Sequence, residues 1–152
     1  MTIAIRPLMP LDVLALDRQP NVDGQFGIYE PVRNIAHGTE LMAMGPAWSA
    51  VGADGAILCC AGFGEVFAGV QATAWALFSR EFATSIRAQA AVGRFMRSRV
   101  AEGPWRRIEA LCRVDWPAEA RWLEYVGFRR HGEPLRAWGP LSEDYWLYER
   151  VS

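Results

Sequence analysis

Arg106–Trp138, RRIEALCRVDWPAEARWLEYVGFRRHGEPLRAW, is the stretch whose reading decides the fold. Ile108 to Val114 is an apolar run of strand length that ends at Asp115 and Pro117. Asp caps the first amides of helices, and Pro lacks the N–H that a first turn cannot use, so a helix is expected to start here. Ala120, Trp122, Leu123 and Val126 follow at core-facing spacing. Gly127 suits a left-handed helix end. Phe128 then opens a second strand, expected over Phe128 to Gly132.

Working outward, Ser79 to Ala101 predicts one long helix with Ser79 as N-cap and Phe82, Ile86, Ala90 and Gly93 on its buried side. Val70 to Phe78 reads as the strand before it. Ala47 to Val51 and Ala56 to Phe63 predict a hairpin across Asp54-Gly55. Gly62, Gly64 and Gly69 are expected to punctuate the next connection, because a strand rather than a helix follows this glycine-rich stretch. Ile3 to Leu8 reads as a first strand and Leu11 to Asp17 as helical. A short helix is expected within Pro31 to Met44, with Val32, Ile35 and Ala36 on one face, and Glu143 to Val151 is the final strand. The order β-α-(α)-β-β-β-α-β-α-β-β predicts an α+β domain with a mixed central sheet, one unit over residues 1–152.

Half of the 152 residues are apolar and seven are Trp, which predicts an ordered, strongly buried interior. A net charge of −1 gives no global attraction to nucleic acid or anionic membrane. No apolar run approaches the roughly 20 residues of a membrane span, and no secretory pattern opens the chain. Cys59 and Cys60 are strand neighbours facing opposite sides, and Cys112 lies elsewhere, so reduced core thiols are expected.

The element order and the strand–helix–Gly–Phe–strand unit resemble the GNAT (Gcn5-related N-acetyltransferase) superfamily. The resemblance implies a mixed, mostly antiparallel central sheet of about seven strands flanked by helices. AWALFSRE (Ala74–Glu81), RRIEALCRVDWPAEARWLEYVGF (Arg106–Phe128) and LRAWGPLSEDYWLYERV (Leu135–Val151) are similar to GNAT-like proteins encoded among the virion-assembly genes of tailed bacteriophages and prophages, a group that includes internal virion proteins. Two functions follow from the resemblance: an acyl-CoA-dependent N-acetyltransferase with an atypical pyrophosphate loop, or a non-catalytic virion or assembly protein. The expected location is the bacterial cytoplasm or the virion.

In this superfamily acetyl-CoA lies between the splayed fourth and fifth strands, its pyrophosphate at the following helix start. The resemblance therefore places cofactor contacts at Trp75, Leu77, Phe78, Arg80, Thr84 and Ser85. The superfamily loop usually carries two spaced glycines, whereas Phe78–Ser85 has none. Glu81 adds a negative charge that favours the helix and opposes a phosphate. The other reading of these residues is a capped helix start without cofactor, the cleft being filled by side chains such as Trp75 and Phe82. The superfamily's tyrosine acid falls at Leu123. Tyr125 lies two residues on, about 200° around the helix, so no catalytic acid is assigned. Glu30, Glu40 and Glu65 read as solvated carboxylates, and His37 and His131 lack metal-ligand spacing, so no base and no metal are assigned.

Arg80, Arg87 and Arg94 recur every seven residues, joined by Arg97 and Arg99. This stripe reads as the solvated face of a helix or as a site for a nucleotide phosphate, an acidic partner surface or a nucleic-acid backbone; specific nucleic-acid binding is not expected. Tyr145-Trp146-Leu147-Tyr148, with Trp138, suggests burial or contact with other virion proteins or a second copy of the chain.

Overall fold

A computed structural model of the chain describes residues 2–19 and 34–152. Its strands are β1 (Ala4–Pro7), β2 (Ala47–Val51), β3 (Ile57–Phe67), β4 (Gln71–Phe78), β5 (Arg107–Arg113), β6 (Arg129–Leu135) and β7 (Tyr145–Val151). Its described helices are α1 (Pro10–Ala15), α2 (Ile35–Met44), α3 (Arg80–Thr84), α4 (Ile86–Glu102) and α5 (Pro117–Val126). The strands form one seven-stranded sheet in the order β1-β2-β3-β4-β5-β7-β6. Every neighbouring pair is antiparallel except β4 and β5. The expected α+β architecture, a mostly antiparallel sheet flanked by helices, is the one observed.

Both faces of the sheet are covered by apolar side chains. Under α4 and α5 lie Cys59, Phe63, Val92, Met96, Val100, Ile108, Cys112, Phe128 and Tyr148. On the other face Leu8, Val13, Leu16 and Leu41 enclose Cys60, Trp75 and Leu77. Cys59 and Cys60 therefore do face opposite sides, and all three cysteines are buried and free. Burial pushes the Cys60 thiol up to about 12. No described helix is long and apolar enough to cross a membrane.

Three local departures from the sequence reading have physical causes. The expected single helix over Ser79 to Ala101 is two. Ser85, at φ −96° and ψ 96°, ends α3 and caps α4 through its hydroxyl, which accepts from the Ala88 amide at 3.2 Å. The break resets the helical phase, so Ile86, expected inside, is 80% exposed, while Ala88, Val92, Met96 and Val100 are buried. Second, Gly62 and Gly64 lie within β3 rather than after it. A Cβ on Gly62 would stand 2.7 Å from the Cβ of Ala47, and one on Gly64 would stand 2.6 Å from Met44 Cε. These glycines let the chain between α2 and β2 approach the sheet. Third, Asp115 does not cap α5. Arg113 holds its carboxylate at 2.6 and 2.9 Å, and Trp116 occupies the cap position without a side-chain bond.

Gly127 ends α5 at φ 111°, as its sequence position suggests. Asp54-Gly55 forms the β2–β3 turn, with Gly55 at φ 84°. In α2 the buried residues are Gly38 and Leu41, whereas Ile35 and Ala36 are exposed, and Val32 lies outside the described residues.

The start of α1 is built around a buried carboxylate. Asp12 is 5% exposed and accepts from Arg6 at 2.7 and 2.8 Å, from the Ser49 hydroxyl at 2.7 Å and from the Met9 amide at 2.9 Å. Burial alone pushes this carboxyl up. The bonds from Arg6, Ser49 and Met9 outweigh it and hold the group below the ordinary carboxylate value. A lowered folded value contributes stability that is present above about pH 4 and is lost as pH falls through the folded value. Asp12→Asn should therefore cost about 2–3 kcal/mol in urea unfolding at neutral pH. The gap between variant and parent should narrow as pH drops below about 4; a pH-independent gap would contradict this role.

Candidate functional site

The parallel ladder between β4 and β5 is short. It joins Gln71, Ala72 and Thr73 to Arg107, Ile108 and Glu109 and then stops. Beyond it β4 continues along β3 to the Phe78–Cys59 pair, and β5 continues along β7 to the Arg113–Tyr145 pair. The two strands thus part, with α4 and α5 above the parting.

Backbone parity shows what faces this gap. Successive residues of a strand direct their N–H and C=O to alternate sides. The Val70 carbonyl accepts from the Arg107 amide on the β5 side, and the Ser79 amide donates to Leu58 on the β3 side. Ala74 and Ala76 share the parity of Val70; the Thr73–Glu109 rung engages the Ala74 amide, so the Ala74 carbonyl and both the amide and the carbonyl of Ala76 open onto the gap past the ladder.

The gap leads into a cavity of about 310 Å³. Its walls are Thr73 to Ala76 and Phe78 of β4, Cys59 and Ala61 of β3, Ala110 and Leu111 of β5, Val92, Met96 and Val100 of α4, and Glu119, Trp122, Leu123 and Val126 of α5, with Met44 and Phe128. Only Thr73 and Glu119 bring a hydroxyl or a charge. Four of the wall positions on strands are alanine, where larger apolar residues are the norm. These short side chains leave the volume open.

At the mouth, the end of β4 passes directly into α3. The Ser79 hydroxyl accepts from the Phe82 amide at 3.0 Å, so the expected N-cap is present. Thr84 donates to the Glu81 carbonyl at 3.1 Å, and Gln89 ties α4 back to the Phe82 and Ala83 carbonyls at 3.0 Å each. Phe78 stacks on Phe82 at 4.7 Å, and Trp122 meets both rings edge-on at 5.9 and 5.6 Å. Tyr125 packs beside Trp122 and over Gly93, where a Cβ would run into its ring. The segment after α1 also reaches the mouth. The Gln19 amide donates to the Phe78 carbonyl at 3.1 Å, Arg18 bridges Ser79, and the Arg80 amide donates to the Asp17 carbonyl at 3.0 Å.

Of the residues named from sequence, Phe78, Arg80, Thr84 and Ser85 gather at the mouth. Trp75 borders the cavity, but its side chain is 8% exposed and packs in the core under α1 and α2, its indole N–H without a partner among the described residues. Leu77 points to the opposite face, into the core under α1 and α2. Arg80 is 64% exposed and stands 3.6 Å from Asp17. Leu123, where the sequence resemblance would place an acid, is a cavity wall. Glu65 is exposed at the β3–β4 turn. The Gly69 amide and the Trp105 indole both donate to it and hold its carboxyl below the ordinary value. Glu40 is exposed, and Glu30 lies outside the described residues.

One cluster escaped the sequence reading. Arg107 pairs with Glu109 and Glu149, and His131 Nδ1 lies 2.9 Å from Glu149. The hydrogen bond with His131 is the main reason the Glu149 carboxyl is held low. These groups sit on the sheet face away from α4 and α5. The alternation of charge at Arg107, Glu109 and Glu149 was the available signal, but three strands must meet before it acquires meaning. Among the described residues, no group of three or more His, Cys, Asp or Glu converges as a metal site.

No protein-family model and no curated protein matches the sequence. Among solved structures, an acetyltransferase of the GNAT family from Bacillus anthracis has a TM-score of 0.75 at 15% identity, over 99% of this chain and 95% of that one. Spermidine N-acetyltransferase from Vibrio cholerae, in complex with CoA and spermine, has a TM-score of 0.74 at 15% identity, over 98% of this chain and 95% of that one. A likeness at this identity is one of fold, and the chain has the GNAT fold.

Proposed function

We propose that the chain is a GNAT-type N-acyltransferase that takes an acyl-pantetheine thioester, acetyl-CoA in the simplest case, between β4 and β5. The open gap carries this reading. The free strand edge from the Ala74 carbonyl through the amide and carbonyl of Ala76 offers donors and acceptors that the amides of a pantetheine arm can complete as an added strand would. The apolar cavity behind it suits an alkyl thioester. In this reading Trp75 and Phe78 border the thiol end of the arm, while Arg80, Thr84 and Ser85 border its phosphate end.

The nucleotide end of acetyl-CoA fits less well than the arm. A diphosphate needs several free amides or donors at close approach. Here the Ser79 and Ser85 hydroxyls already cap helices, Phe82 fills the first turn, and Glu81 adds negative charge. No side chain at the Leu123 position can protonate a leaving thiolate. No catalytic acid is assigned and no step is derived through the diphosphate.

A second reading has its own support: a non-catalytic GNAT-fold component of a phage or prophage particle. The ties from Asp17, Arg18 and Gln19 to Phe78, Ser79 and Arg80 close the chain's own backbone over the mouth, and the Phe78–Phe82–Trp122 stack roofs it. The contact in that case falls to the Tyr145–Tyr148 strand and Trp138, through other virion proteins or a second copy.

Titration with acetyl-pantetheine and acetyl-CoA, followed by thermal shift, separates the two. A ligand at a hundred times its Kd stabilises the fold by about 2.7 kcal/mol. No shift at millimolar concentration of either compound would end the acyltransferase reading. Recovery of the protein at fixed stoichiometry in purified particles would establish the second one. Ala76→Leu, which fills the gap with an apolar side chain, should weaken acetyl-pantetheine binding at least tenfold with little change in melting temperature. Unchanged affinity would place the ligand elsewhere.

A further inference from the structure

Resting on the acyltransferase reading, we infer that the thioester reaches this site on an acidic carrier protein bearing a phosphopantetheine arm, rather than as the free nucleotide. Three observations converge on it. The gap and cavity accept a pantetheine arm, but the glycine-free, capped mouth provides no diphosphate cradle. A carrier-bound arm has a single phosphodiester and no adenosine, and so needs no such cradle.

The second observation is charge. The chain has a formal net charge of −1, and all 16 of its cations are arginine. Arg80, Arg87, Arg94 and Arg97 are nevertheless all exposed on α3 and the outer face of α4, beginning at the mouth. Arg80 has only a loose, solvent-exposed pairing with Asp17 at 3.6 Å, and Arg87, Arg94 and Arg97 pair with none of the described carboxylates. Guanidinium groups bind phosphodiesters and carboxylates bidentately. Arg80 and Arg87 are placed for the phosphodiester, and Arg94 and Arg97, about two and three turns beyond Arg87 on α4, for the acidic surface behind it.

The third observation is apolar. Ile86 is 80% exposed at the first residue of α4, between Arg80 and Arg87 in sequence. An apolar side chain displayed among arginines at a site's mouth is the composition of a protein–protein contact rather than of a solvated helix face. The chemistry is thioester aminolysis. The amine nitrogen bonds to the acyl carbon, the C–S bond breaks, and the proton lost by the amine leaves with the carrier thiol.

The test compares four probes by calorimetry at about 50 mM and about 300 mM salt: acetyl-pantetheine, acetyl-CoA, an acetylated holo acyl carrier protein, and the same carrier without its arm. The acetylated carrier should bind at least tenfold more tightly than acetyl-pantetheine at low salt. Arg94→Glu with Arg97→Glu should abolish that gain and leave acetyl-pantetheine affinity unchanged, as should high salt. The inference is overturned if acetyl-CoA binds as tightly as the acetylated carrier, if the armless carrier binds equally well, or if the charge reversals have no effect. In those cases the thioester site itself survives provided acetyl-pantetheine binds. Failure of acetyl-pantetheine together with both carrier forms removes the site and the inference alike.

Discussion

The structure turns on a three-rung parallel ladder. β4 and β5 are joined only at Gln71 to Thr73 and Arg107 to Glu109 because each is committed to another partner along its full length. β4 ends a right-twisting set with β1, β2 and β3. β5 begins another with β7 and β6. Twist accumulates independently in each set, so strands that start together diverge within a few residues. The parting at Ala74 places unpaired backbone beside alanine side chains and leaves Trp122 and Leu123 of α5 to form a roof. Filling the gap with longer side chains, or extending the ladder, would remove the cavity and the strand edge together.

The mouth of the gap resolves a competition for the same amides. A helix start binds anions because its first N–H groups are unsatisfied. Here Ser79 and Ser85 satisfy amides from within the chain, and the Phe78–Phe82–Trp122 stack occupies the adjoining space. In the proposed reading, the arm of a thioester donor is therefore accommodated better than its nucleotide. Positive charge lies instead on the exposed face of α4, at Arg87, Arg94 and Arg97.

Sequence alone carried the architecture because its signals were local. Gly127 at a helix end, Asp54-Gly55 in a turn, Ser79 at a cap and adjacent cysteines on opposite faces each depend on a few neighbouring residues. What stayed hidden required partners remote in sequence. Ser85 looks helical on both sides, and only its cap of Ala88 marks the break that turns Ile86 outward. Gly62 and Gly64 looked like loop residues because the approach of Ala47 and Met44 is invisible in one dimension. Asp115 looked like a cap until Arg113, two residues away on the strand, claimed it. The cavity draws its walls from three strands and three helices, and the cluster of Arg107, Glu109, His131 and Glu149 draws on three strands. Neither has a contiguous motif.

The parting of β4 from β5 is tested most directly by amide hydrogen exchange, residue by residue, along β4. Trp75 and Leu77 donate toward β3 and should exchange slowly. Ala76 faces the gap and should exchange far faster than Ala72, which lies within the ladder. Protection of Ala76 equal to that of Ala72 would mean that the strands stay paired, that no gap exists, and that the account built on it is wrong.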